Sequence, residues 1–326
     1  MLLAVLAIVL GLIMLVWSAN RFVTGAAAAA YHTGMRPLLI GMFVVSFGSS
    51  IPELIVSTLA ALEGSPTLAL GNAYGSNIFN ITLVVGLSVA LAAITAHSTI
   101  VRKELPILIA VTFLAGLQLL DGQLSRVDAL VLLLVFVGVV LWSILNARYQ
   151  TTNVWWIELE QAIKKPKQPR LSSHQARVWL TTGLLLLILG SQLFVWGAVQ
   201  VAQVLDVSEL IMGLTIVAAG TSLPELATVV AAVRKGEDEL ALGNVVGANI
   251  FNTLAVVGIA GLIQPITIAP EVLYRDWLLM LGVTVGLYMM CLGYKRPGHL
   301  PRWGGGLLLL VFIIYNSWLL ISSIHY

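Results

Sequence analysis

Two carboxylates stand where a membrane-crossing chain has least use for them. Glu53 closes the stretch "GSSIPE" (Gly48–Glu53) and Glu225 closes "GTSLPE" (Gly220–Glu225), each directly after a proline. Proline has no N–H, so Pro52 and Pro224 leave the carbonyls of Gly48 and Gly220 without their helical partners. On a helix Ser49, Ser50 and Glu53 share one face, as do Thr221, Ser222 and Glu225. A second motif follows each first one: "LGNAYGSNIFN" (Leu70–Asn80) and "LGNVVGANIFN" (Leu242–Asn252). The donors gathered are carboxylates, amides, hydroxyls and backbone carbonyls, with no thiol or imidazole among them. Such oxygens suit a hard cation: Ca2+ takes them at roughly 2.3–2.6 Å, and Na+ accepts the same types. Two carboxylates neutralise one Ca2+ or two Na+.

The elements that carry these groups must lie in lipid. The 326 residues are 59% hydrophobic and only 10% charged, with a mean hydropathy of +0.97. Soluble domains are nearer a quarter charged, so the sequence predicts an all-α integral membrane protein. Runs of ~20 apolar residues cross a bilayer core, and ten spans are expected at 2–30, 36–62, 66–93, 103–120, 126–146, 175–204, 208–233, 238–262, 271–292 and 301–323. The first lacks the basic start and cleavage site of a signal peptide. Cys291 is the only cysteine, which excludes an intrachain disulfide and a cysteine-based metal cluster.

Shifted by 172 residues (Glu225 minus Glu53), Asn20–Gly86 lies on Gln192–Gly258 without a gap. Such self-similarity decides an architecture. The chain reads as residues 1–146 and 175–326, five spans each, joined by a Lys- and Pro-rich stretch at 147–174. Five is odd, so the second copy enters the membrane inverted, an arrangement of secondary transporters with midplane sites on broken helices. Arg102, Lys103, Lys164, Lys165, Arg234, Lys235, Lys295 and Arg296 fall in loops on one side, whereas the other side carries only Arg126 and Arg275. The positive-inside rule makes the first side cytoplasmic and both termini extracytoplasmic.

Eleven residues separate Glu53 from the turn at Gly64, roughly 16 Å at the helical rise. Fourteen separate Pro66 from Asn80, about 21 Å. Against a core of ~30 Å both residues fall near the middle. Glu225 and Asn252 repeat the geometry from the other side, so Glu53, Asn80, Glu225 and Asn252 converge, with Ser76 one turn before Asn80. The other acidic residues, among them Glu104 and Asp276, are expected at span ends or in loops.

At these motifs the sequence resembles the cation/calcium exchanger superfamily, and it looks most like the bacterial inner-membrane calcium/sodium antiporters. The resemblance covers essentially the whole chain. It implies ten helices in two inverted halves and ion sites between spans two, three, seven and eight. The ligand set it implies is Ser46 and Ala218 through their carbonyls, with Ser49, Ser50, Glu53, Ser76, Asn80, Thr221, Ser222 and Glu225. Spans one and six would slide past that core to alternate access. Asn252 stands where many members carry aspartate and Ala248 where many carry serine, which departs from a three-sodium-per-calcium arrangement. Ca2+ and Na+ are the expected transported ions, in the inner membrane, with lipid around the protein. No organic cofactor, nucleic acid or obligatory protein partner is expected.

Three rivals remain at this stage. A proton/calcium antiporter keeps the fold and lets Glu53 and Glu225 carry protons. A channel needs filter loops or charged rings, and neither is evident. An intramembrane enzyme is disfavoured, because His32, His97, His174, His299 and His325 sit in loops or near span ends, with no H-E-x-x-H.

Overall fold

The structure, a computed structural model, describes residues 2–33, 37–96, 100–150, 171–204, 218–292 and 298–324. Residues 151–170 of the expected joining stretch 147–174, and the first part of the expected seventh span, 208–217, lie outside the described residues. The principal helices are α1 (Leu2–Thr33), α2 (Ile51–Leu62), α3 (Pro66–Phe79), α4 (Leu105–Leu117) and α5 (Arg126–Gln150). After the joining stretch come α6 (Ser173–Val204), α7 (Leu223–Arg234), α8 (Asp238–Phe251), α9 (Leu278–Leu292) and α10 (Arg302–Ile324).

Element boundaries repeat at the offset seen in the sequence. α2 and α7 coincide at both ends after a shift of 172, and so do α3 and α8. α3 and α8 each run on through a π-helical segment that begins at an asparagine: Asn80–Val85 and Asn252–Val256. These two helices form the centre. Their apolar stretches are 72% and 83% buried, against 17–33% for the other long helices. Outward-facing Val127, Leu134, Leu185, Leu189, Ile313 and Trp318 are exposed, as expected of helices solvated by lipid.

Among the described residues seven helices are long and apolar enough to cross a membrane, and an eighth span is counted when Ile40–Ser49 and Ile51–Leu62, bent by 49°, are taken together. The multi-pass membrane character of the sequence is therefore upheld, while the count of ten is not reached by length and composition. The expected span at 103–120 has an apolar helix of only 13 residues, α4, preceded by π-helical Ile100–Glu104 with Arg102 and Lys103.

Two short antiparallel ladders qualify the all-α expectation. Ile94–Thr95 pairs with His299–Leu300, and Gln123–Leu124 pairs with Ile266–Thr267. Each ties a loop of the first copy to a loop of the second.

α1 and α6 meet along a seam where backbone touches backbone. A Cβ added at Gly11 would lie 2.8 Å from the Gly190 carbonyl oxygen, and one at Gly183 would lie 2.7 Å from the Phe22 amide nitrogen. Small residues permit this approach, which packs helices where lipid offers no hydrophobic drive. The Arg21 guanidinium adds a clamp, 4.2 Å from the Trp179 ring centre and 5.0 Å from that of Trp17.

Candidate functional site

The chain breaks at the same place in each copy. Ser50 has φ −88° and ψ 10°, and Ser222 has φ −89° and ψ 4°, the sparsely populated bridge region of backbone space. A new helix begins at the next residue, so Pro52 and Pro224 occupy its first turn, where a missing N–H costs nothing. One expectation is corrected here. The Ser46 carbonyl, a ligand by the resemblance, is already taken up, since it accepts the Ser50 amide at 2.9 Å and the Ser49 hydroxyl at 3.3 Å. A break one residue long leaves the ladder intact up to Ser50. The Gly220 carbonyl freed by Pro224 likewise accepts the Ser191 hydroxyl of α6 at 2.6 Å. Ala218 opens the short turn Ala218–Thr221 at the edge of the described residues.

The side chains of the two breaks cross over. The Ser50 hydroxyl donates to Glu225 Oε1 at 2.7 Å, and the Ser222 hydroxyl lies 3.1 Å from Glu53 Oε1 and 3.1 Å from Ser76 Oγ. Serine of one copy thus holds the carboxylate of the other, twice. The next layer repeats the exchange. The Ser49 hydroxyl donates to Asn244 Oδ1 at 3.3 Å, and the Thr221 hydroxyl donates to Asn72 Oδ1 at 3.5 Å. Ser46, Ser49, Ser50, Glu53, Ser76, Asn80, Thr221, Ser222, Glu225 and Asn252 are all buried. Glu53 and Glu225 are 0% and 1% exposed and near enough for their charges to interact.

Four motif residues each leave one oxygen over. Glu53 Oε2, Asn80 Oδ1, Glu225 Oε2 and Asn252 Oδ1 are buried oxygens with no hydrogen-bond partner. An unpaired buried polar atom costs on the order of 1–3 kcal/mol, and more when charged. The four fall into two pairs related by the repeat, two carboxylate and two amide oxygens, which are donor types that a hard cation takes. Among the described residues no three His, Cys, Asp or Glu side chains cluster.

Known proteins share both the sequence and the fold. The family described as "Sodium/calcium exchanger protein" matches residues 3–145 and 176–321. The inner membrane protein YrbG of Escherichia coli (strain K12) is 41% identical over 320 residues, covering 98% of this chain and 97% of that one. The sodium/calcium exchanger MaX1 of Methanosarcina acetivorans is 27% identical over 346 residues, covering 95% and 96%. The solved structure of the sodium-calcium exchanger NCX_Mj soaked with Na+ and Ca2+ superimposes with a TM-score of 0.82 at 30% identity, covering 97% of this chain and 98% of that one.

The chain belongs to the sodium/calcium exchanger protein family.

Membership makes this chain a cation-exchanging antiporter of the membrane. This exchanger is symmetric at the breaks but not at the second motif. Asn80 donates its amide to Asn249 Oδ1 at 3.0 Å, whereas neither Nδ2 nor Oδ1 of Asn252 has a partner. Ala248, the counterpart of Ser76, carries no side-chain oxygen.

Sequence reasoning overlooked the scaffold behind the ligands. Asn72 donates to the Ser57 hydroxyl at 3.0 Å and Asn244 donates to the Thr228 hydroxyl at 2.7 Å. Asn77 and Asn249 exchange amide-to-carbonyl bonds of 3.4 Å across the centre. The signal was present, because both asparagines recur at the 172-residue offset (244 minus 72, 249 minus 77). Glu104 stands immediately before α4, at a span end as expected, and protein covers it to 4% exposure. Its counterpart Asp276 instead pairs with Arg275 and accepts the Tyr315 hydroxyl at 2.8 Å.

Proposed function

We propose that this exchanger moves Ca2+ against Na+ by alternating access, with both cargoes bound in turn at one midplane site. The observation carrying this reading is the set of four partnerless oxygens on Glu53, Asn80, Glu225 and Asn252. Ser49, Ser50, Ser76, Thr221 and Ser222 complete the ligand shell, with the carbonyl of Ala218 at its edge. The fold behind it is ten helices in two inverted five-helix repeats, residues 1–146 and 175–326, with 147–174 as a cytoplasmic linker. Both termini face away from the cytoplasm, in the inner membrane of the cell. α1 and α6, locked by their glycine seam and the Arg21 clamp, move as one body past the buried core. Inorganic cations are the only substrates, and no covalent chemistry is performed.

Isotopic Ca2+ uptake by proteoliposomes with imposed Na+, K+ or H+ gradients tests the coupling ion. Uptake driven by outward Na+ and indifferent to pH gradients is the expected result. The two partnerless carboxylate oxygens favour one alternative, a proton in place of Na+ at Glu53 and Glu225. Uptake driven by pH and not by Na+ would establish that alternative.

The charge at the site sets the electrical character. Two carboxylates balance either cargo, so the native cycle is expected to move no net charge. Asn252→Asp adds a third anionic group that calls for a further Na+ on the sodium-loaded leg. Its exchange rate is expected to respond to a potassium-diffusion potential by a severalfold change, while the native rate does not. Equal insensitivity of both proteins would make position 252 a bystander.

A further inference from the structure

A second binding place lies away from the ion site, on the lipid-facing side between α4 and α5. Pro106, Ile107 and Ala110 form one wall of a groove, and Val135, Gly138, Val139 and Trp142 form the other. Its volume is about 650 Å³, within the range of small-ligand sites. The lower part is entirely apolar. At one end stand Arg102, exposed, and Lys103, half-buried. The two helices run antiparallel there, so Trp142 shares the basic end, and Ala110 and Val135 close the other. From Arg102 to Ala110 the wall extends about 12 Å along the helix.

We propose that this groove holds an anionic phospholipid, the headgroup on Arg102 and Lys103 and one acyl chain along the Pro106–Ala110 wall. Charge complementarity selects this occupant: two cations with an apolar slot directly beneath fit a phosphate joined to a hydrocarbon chain. Arg102 and Lys103 also belong to the side that carries most of the chain's positive loops, where acidic headgroups attract basic residues at about fivefold in affinity per side chain. A tryptophan at the same level is the usual anchor of the headgroup region. Gly138 deepens the slot, since among the described residues no atom lies within 4 Å of a Cβ built there. A free phosphate would use the basic end alone and leave the slot empty. The site also places its ligand against α5 and the π-helical turn Ile100–Glu104, beside the buried core rather than within it.

Native mass spectrometry of the full chain in detergent, titrated with phosphatidylglycerol or phosphatidylcholine of identical acyl chains, tests the proposal. The expected result is preferential retention of phosphatidylglycerol that excess inorganic phosphate does not displace. The pair Arg102→Gln and Lys103→Gln is expected to weaken it about thirtyfold, the product of two such increments. Gly138→Phe fills the slot and is expected to remove the tightly held lipid without touching the charges. The two variants act at different ends of the groove, and size-exclusion profiles report folding of each. Undiminished phosphatidylglycerol binding in both folded variants, equal retention of the two lipids, or full displacement by phosphate would each overturn the proposal. A doubled mass that Gly138→Phe dissociates would also overturn it, by giving the groove to a second copy of the chain.

Discussion

Glu53→Gln and Glu225→Gln are each expected to bring Ca2+ exchange below about 1% of the native rate while the protein stays folded. Glutamine matches glutamate in size, and its amide oxygen can keep the bond from Ser222 or Ser50. The amide nitrogen must then occupy the place of the partnerless Oε2, so a donor faces the cation where an acceptor stood. One unit of negative charge is lost as well. For a unit charge and Ca2+ about 4 Å apart at an effective dielectric near 20, the attraction is about 8 kcal/mol; with half of it offset by desolvation, the loss is still roughly a thousandfold in affinity. Isotopic Ca2+ flux in proteoliposomes reads the effect, and thermal unfolding of the purified variants reads the fold. Because the crossed serine bonds make the halves equivalent, the two variants are expected to fail alike. Retained flux in both would remove the carboxylates from the transport site.

The symmetry behind that expectation could be read from the chain before any coordinates. Gly48–Glu53 and Gly220–Glu225, each followed by an Asn-Ile-Phe-Asn stretch, specify where the two helices break and which side chains stand there, because proline chemistry is a local rule. What could not be read depends on neighbours distant in sequence. That Ser191 would take up the Gly220 carbonyl depends on how α6 lies against the break. That Ser50 would serve Glu225 rather than Glu53 depends on the two halves meeting face to face. That Glu104 would be covered by protein depends on which helices pack around the start of α4. The two loop ladders escape for the same reason, being two residues long and paired across the repeats.

Gly247 supplies the second large effect, through geometry alone. It lies on α8 one position before Ala248, with the broken helix of the first copy directly against it. A Cβ there would lie 2.5 Å from Ser46 Oγ and 2.7 Å from Met42 Cα, and would overlap the Met42 carbonyl oxygen. Those atoms are the two ends of the hydrogen bond that Ser46 donates to Met42, so the added carbon drives into the turn leading to Ser49 and Ser50. Backbone cannot rotate away as a side-chain tip can. Gly247→Ala is expected to cost roughly 1–3 kcal/mol, the usual range for overpacking, seen as a lowered thermal midpoint. Gly247→Leu is expected to abolish exchange, because a displacement near 1 Å at Ser50 parts it from Glu225, and preorganised sites tolerate about half that. Gly282→Ala is the matched control. Its Cβ meets no described atom within 4 Å, and replacing a glycine inside a helix with alanine favours the helix by roughly 0.5–1 kcal/mol. Native exchange and stability in Gly247→Leu would mean that α8 and the broken helix do not need this contact to hold the ligands in place.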